Sequence, residues 1–203
     1  MSDAPVGLRS IKKQLTRESI ADAALRLSLE KGLSHITIDE IAHLAFVSPR
    51  TVSNYFSCKE EAVVAAGSTL PDLIALYARA PSKQAPMAAM RQVVNHFFAT
   101  LSEDKLDQTR RWLQLIEANP SLRAYQMASY DEAEAEVRSI VAERIGTEDR
   151  DDLYAGLVAA AAIAAVKVVL GTWGRSHESP QRLADLAGVA FDHIDTGFTL
   201  PDR

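Results

Sequence analysis

Apolar side chains recur every three to four residues along almost the whole chain, and nowhere do β-branched residues alternate over six or more positions. That pattern suits helices with one buried stripe each and does not suit strands, which need a two-residue alternation. The expected fold is all-α, with about nine helices. The first runs from Ser10 or Thr16 to Lys31, with Ile20, Ala23, Ala24 and Leu27 on one stripe and Gly32 as its stop. Thr37-Ile38-Asp39-Glu40 is a capping box, in which the Thr37 hydroxyl accepts from the Glu40 amide and the Glu40 carboxylate accepts from the Thr37 amide. A short helix therefore starts at Thr37 and ends near Ala45, because Ser48-Pro49 is the next start signal, with Ser48 as N-cap and Pro49 at the first helical position. The third helix reaches about Phe56, a break follows at Ser57-Cys58, and a fourth helix runs from Lys59 or Glu60 into the Tyr77 region. Beyond a linker from Pro81 to Pro86, helices are expected at Met87 to Ser102, Asp104 to Glu117, Pro120 to Ile145, Asp151 to Arg175 and Pro180 to Phe198.

The 203 residues are 47% apolar and 24% charged, enough to build a packed core. The N-terminus has no apolar run of the kind a secretory signal needs, and a cytoplasmic protein is expected. The run Leu157 to Val166, continued to Leu170, is Ala-rich and reads as a buried helix, too short and too weakly apolar to span a bilayer. Cys58 is the only cysteine, so no internal disulfide or thiolate metal cluster can form. A net charge of −5 argues against wholesale coating of nucleic acid, but the charge is uneven. Residues 1–59 hold 8 Lys+Arg against 6 Asp+Glu, and the remainder 14 against 21, so only the front end suits phosphate.

Two short helices joined by a three-residue turn form a helix-turn-helix, whose second helix can enter a major groove. Ile38, Ile41, Ala42, Val47, Val52 and Phe56 can fold against the first helix, leaving Arg50, Thr51, Ser53, Asn54 and Tyr55 outward or at the edge. Thr37, Ser48, Thr51 and the backbone amides at both helix starts can bind phosphate, Arg50 can read guanine and Asn54 adenine. The same motif also serves as plain scaffold in helical ligand-binding or interaction proteins, and the low basic charge leaves that alternative open.

The segment Thr37 to Ala42, followed by Val47-Ser48-Pro49-Arg50-Thr51-Val52-Ser53-Asn54-Tyr55-Phe56 and Lys59-Glu60-Glu61-Ala62-Val63, resembles the TetR family of transcriptional regulators. The likeness begins in the first helix, with Ala23 to Leu27 and Lys31-Gly32. It implies an N-terminal three-helix DNA-binding domain over residues 1–58 and a helical effector-binding and dimerisation domain over residues 59–203. A homodimer would bind a pseudo-palindromic operator, and a small molecule would release it. By position, Thr37, Ser48, Thr51, Tyr55 and Lys59 would hold phosphates, Pro49 would open the recognition helix, and Arg50, Ser53 and Asn54 would face bases. Phe56 would stay in the core. Two residues depart from the family pattern: Phe46 stands where a turn glycine is usual, reshaping the turn or packing on the fourth helix, and Ser53 stands where an aromatic residue is common.

For the larger half the sequence offers only candidates. Phe97, Phe98, Trp112, Leu115, Tyr125, Met127, Tyr130 and Trp173 are its large side chains, and all but Met127 are taken as candidate lining for an effector pocket. The stretch Arg110 to Ile116 with Asn119 to Arg123 is loosely similar to a TetR subgroup with acyl-CoA-like ligands, which points to a lipophilic or acyl-type effector. Small residues near Ala161 and Ala165, and the stripe Leu183, Leu186, Ala190 and Ile194, allow close helix packing, either within the protomer or across a dimer. No glycine-rich phosphate loop, catalytic triad signature or helical metal pair is found, so neither an enzyme, a cofactor nor a metal site is expected. His193 with Asp192 and Asp195 does not share one helical face, and Glu148 to Asp152 reads as a solvated loop and helix start.

Overall fold

The computed structural model describes residues 8–81, 83–147, 152–176, 179 and 182–198. Among these the chain forms ten α-helices and one 3-10 turn, with no strand. The helices are α1 (Leu8–Lys31), α2 (Ile38–Leu44), α3 (Pro49–Tyr55), α4 (Lys59–Gly67), α5 (Leu70–Arg79), α6 (Pro86–Thr100), α7 (Glu103–Ala118), α8 (Pro120–Ile145), α9 (Leu153–Arg175) and α10 (Arg182–Asp195). The 3-10 turn, Leu33–His35, lies between α1 and α2. The extra helix arises because the expected fourth helix is two. Pro71 lies in the first turn of α5, where its missing N–H costs nothing, but a continuous helix would drive its ring into the Gly67 carbonyl. The backbone at Ser68 is accordingly extended.

Residues up to 68 together with 115–126 make one compact unit, and residues 69–114 with 127 onward make the other. The first unit therefore keeps α4, ten residues more than the boundary expected after Cys58. The reason is packing: α1 lies along α4, and Ala62, Val63 and Val64 are buried. Ile20, Ala24 and Leu25 of α1, Ile41 of α2 and Val52 of α3 complete that core, each at 1% exposure or less. Gly32, at φ 84, ends α1 in the left-handed region where a side chain would be strained.

The second unit is built on α6, α9 and α10, with α5 against α6. Tyr77, Trp173, Leu183 and Phe191 are its most deeply buried large side chains. The Arg144 guanidinium caps α5 from α8, donating to the Tyr77, Ala80 and Pro81 carbonyls while stacking 4.4 Å from the Tyr77 ring. At Gly174 a Cβ would lie 2.8 Å from Leu113, so a bare backbone is needed where α9 meets α7.

The suggested dimer residues are largely core residues of their own protomer. Ala165 and Leu183 are buried, and Leu186, Ala190 and Ile194 pack on the same core. Ala161 is half-buried. The α10 stripe is real, but it faces inward because α10 packs on α6 and α9. The exposed face of α9 carries Leu157, Ala164 and Val168 instead. Contrary to the expectation that its apolar run is too short, the 23-residue α9 could by length and composition cross a bilayer; half of its apolar stretch is buried inside the protein, as in a core helix. Asp152 caps α9 by accepting from the Ala155 amide at 2.9 Å, whereas Glu148 to Asp151, His177 and Pro180 lie outside the described residues. Asp192 and Asp195 both hold the Arg91 guanidinium, the latter at 2.8 Å, which occupies the carboxylates beside His193.

Candidate nucleic-acid interface

The two start signals fold as read. Thr37 Oγ1 accepts from the Glu40 amide at 3.2 Å, and the Glu40 carboxylate accepts from the Thr37 amide at 2.9 Å. The Lys31 ammonium, 2.8 Å from the same carboxylate, is the chief reason Glu40 titrates below the ordinary glutamate range, with the Thr37 hydrogen bonds second. Ser48 Oγ accepts from the Thr51 amide at 3.1 Å and lies 2.8 Å from the Thr51 hydroxyl, with Pro49 in the first turn. Short helices gain little from propensity alone, so these caps and the burial beneath them fix α2 and α3.

α3 is two-faced. Val52 is fully buried and the C-cap Phe56 is 2% exposed, with the Arg17 guanidinium 4.6 Å from the Phe56 ring. On the other side Ser48, Pro49, Arg50, Ser53 and Asn54 are exposed, and Thr51 and Tyr55 are half-buried at the edge. Ser53 returns its hydroxyl to the Pro49 carbonyl at 3.2 Å, which shortens its reach further. Arg50 makes no ion pair with the described residues. A surface of exposed guanidinium, amide and hydroxyl groups on a helix anchored from behind suits a base edge in a major groove.

Two residues behave differently from expectation. Lys59 is half-buried and donates to the Leu33 and Ile36 carbonyls at 2.9 and 3.0 Å, tying α4 to the connection before α2. Two of its three N–H groups are thus used inside the protein. Phe46 takes φ 55 and is 94% exposed, so it neither packs on α4 nor relaxes the turn. The left-handed conformation costs a side chain about 1 kcal/mol. The turn survives because the Ala45, Phe46 and Val47 amides close on the Ile41, His43 and Ala42 carbonyls.

The seven pocket candidates fall in both units. Phe97, Phe98, Trp112, Tyr130 and Trp173 are buried in the second unit, whereas Leu115 and Tyr125 belong to the first. Arg110 stacks 4.3 Å from the Trp173 ring, and burial lifts the Tyr130 phenol to about 12. The Tyr125 hydroxyl meets the Cys58 thiol, which raises its pKa, while Cys58 caps α4 by accepting from the Glu61 amide at 3.5 Å. A small apolar void of about 10 Å³ lies in the second unit, among Leu73, Met90, Val94, Val137, Ala162 and Val166. Sequence alone gave no sign of it, because aliphatic side chains beside a void look like any other core residues. An open cleft of about 360 Å³ runs along α5 and α6, past Leu76, Arg79, Gln92 and His96.

Residues 20–66 match the family of bacterial regulatory proteins called the tetR family, and residues 84–199 match the MftR C-terminal domain. The regulator TcmR of Streptomyces glaucescens is 29% identical over 174 residues, covering 82% of this chain and 76% of that protein. A Mycobacterium tuberculosis protein described as the mycofactocin biosynthesis transcriptional regulator MftR is 26% identical over 187 residues, covering 92% of each. Among solved structures, the lauroyl-CoA complex of FadR, a repressor of Thermus thermophilus, shares the fold at a TM-score of 0.57 and 21% identity, over 92% of this chain and 97% of that one. With its N-terminal helix-turn-helix and its C-terminal helical domain both matched, the chain belongs to the TetR family of transcriptional regulators.

Proposed function

We propose that the protein acts in the cytoplasm as a homodimeric repressor that reads a pseudo-palindromic operator through α3 and is released by a lipophilic effector. The observation that carries this reading is the division of α3 into a buried apolar side and an exposed side bearing Ser48, Pro49, Arg50, Ser53 and Asn54. Arg50, Ser53 and Asn54 meet base edges, while Thr37, Ser48, Thr51 and Tyr55 meet phosphates. Lys59 contributes one remaining N–H to phosphate and otherwise holds α4 in place.

The dimer forms through the exposed face of α9, where Leu157 and Val168 are 60% and 62% exposed with Ala164 between them, joined by Val189 of α10. Apolar groups at that exposure need a partner surface, and a two-fold axis matches an operator of two half-sites. The effector enters by expanding the apolar void around Val137 and Ala162. That lining is wholly hydrocarbon and thioether, which selects an alkyl or aryl ligand, and the lauroyl chain held by FadR is of that class.

Selection of bound duplexes from a random DNA pool tests the reading as a whole. The expected product is an inverted repeat with half-site centres about one helical turn or more apart. Recovery of no enriched sequence would refute it. A melting-temperature series with saturated acyl-CoAs tests the effector, which should raise stability increasingly with chain length up to a limit. No rise at any length removes the acyl assignment.

A further inference from the structure

We propose that Phe46 is itself a DNA contact, its ring packing on hydrocarbon of the duplex beside the exposed side of α3. The proposal rests on the DNA-binding reading of α2 and α3. Phe46 is the most exposed of the large apolar side chains described, at 94%, and it sits at φ 55, a conformation that glycine adopts freely and other residues resist. Both features work against the folded state. Neither is needed to build the turn, since its three closing hydrogen bonds come from backbone amides that glycine would also supply. Nothing among the described residues accounts for a phenyl ring there, which points to a contact outside them.

The neighbourhood identifies that contact. Two residues on, past the half-buried Val47, Ser48 begins the exposed run Ser48, Pro49, Arg50, so the ring stands next in sequence to the DNA-facing surface. Duplex DNA offers two kinds of hydrocarbon to such a ring: the thymine methyl at the floor of the major groove and the deoxyribose along its rim. The ring would add apolar area to a reading surface on which the Ser53 side chain is short and turned back to the Pro49 carbonyl.

The test uses the full-length protein and a duplex recovered from a random pool, comparing Phe46→Gly, Phe46→Leu and, as reference, Arg50→Ala. Phe46→Gly should raise the melting temperature by about 2–4 °C through relief of the backbone. It should also weaken DNA binding about fivefold to tenfold through loss of apolar contact. Phe46→Leu should retain most of the affinity. Replacing thymine by uracil separates the sources: a loss in the wild type that Phe46→Gly does not show identifies the methyl, and no loss with a Gly defect that persists identifies the deoxyribose. A melting-temperature rise with unchanged affinity overturns the proposal, as does a Gly defect confined to association between copies. Should Arg50→Ala also leave binding intact, the reading of α3 fails as well, whereas loss in Arg50→Ala alone leaves that reading standing and removes only Phe46.

Discussion

The two units use the same helical material in opposite ways. In the first, the side chains with chemistry to offer are exposed on helices of seven residues, and their positions are fixed by neighbours three residues away in sequence. In the second, the candidate binding surface is the packed core itself, where Val137 and Ala162 line a void and also hold the unit together. A reading surface thus stands clear of the residues that stabilise it, and a sensing surface does not. Binding and stability should separate under mutation in the first unit and move together in the second.

The largest effect expected is from Phe56→Ala, which removes a buried ring and its Arg17 contact and should cost about 3–5 kcal/mol, seen as a lowered denaturation midpoint with DNA binding lost in step. Retained stability would show that the anchored side of α3 carries no load. Next is Lys59→Met, which leaves the Leu33 and Ile36 carbonyls without their ammonium and should cost about 1–3 kcal/mol. If Lys59 served phosphate alone, the denaturation midpoint would not move while affinity fell. Gly174→Ala presses a methyl on Leu113 and should cost about 1–3 kcal/mol in thermal or urea unfolding of the second unit, with α3 chemistry untouched. The smallest effect is acid-dependent. Glu40 titrates below its unfolded value, so its contribution is present at neutral pH and is lost as pH falls through the depressed folded value. Glu40→Gln should therefore flatten the acid side of the stability profile slightly, and an unchanged profile would show that the capping box does not need the charge.

The same contrast explains what was legible in the sequence. Thr37, Glu40, Ser48 and Pro49 announce their helices because a cap is a local event, and Val52 and Phe56 fall inward by helical periodicity alone. The internal role of Lys59 is not legible in the sequence because its acceptors, 26 and 23 residues earlier, come within reach only in the folded chain. Apolar spacing carries the expected fourth helix through Pro71, although a proline two places into a new helix is a start signal as much as a blemish. On α10, periodicity identifies the stripe of Leu183, Leu186, Ala190 and Ile194 but not the protomer core it packs on. For Trp112, Tyr130 and Trp173, residue type reports burial without saying whether a ligand shares it. Size alone makes Tyr125 a pocket candidate and says nothing of Cys58, which its hydroxyl meets.

On the proposed reading, exposed groups of α3 read DNA without supporting the fold, and Arg50→Ala combined with Asn54→Ala measures that directly. Affinity for a selected operator, titrated by fluorescence anisotropy, should fall about 100-fold, while the melting temperature and the oligomeric mass stay where they were. Unchanged affinity in a folded variant would contradict the account.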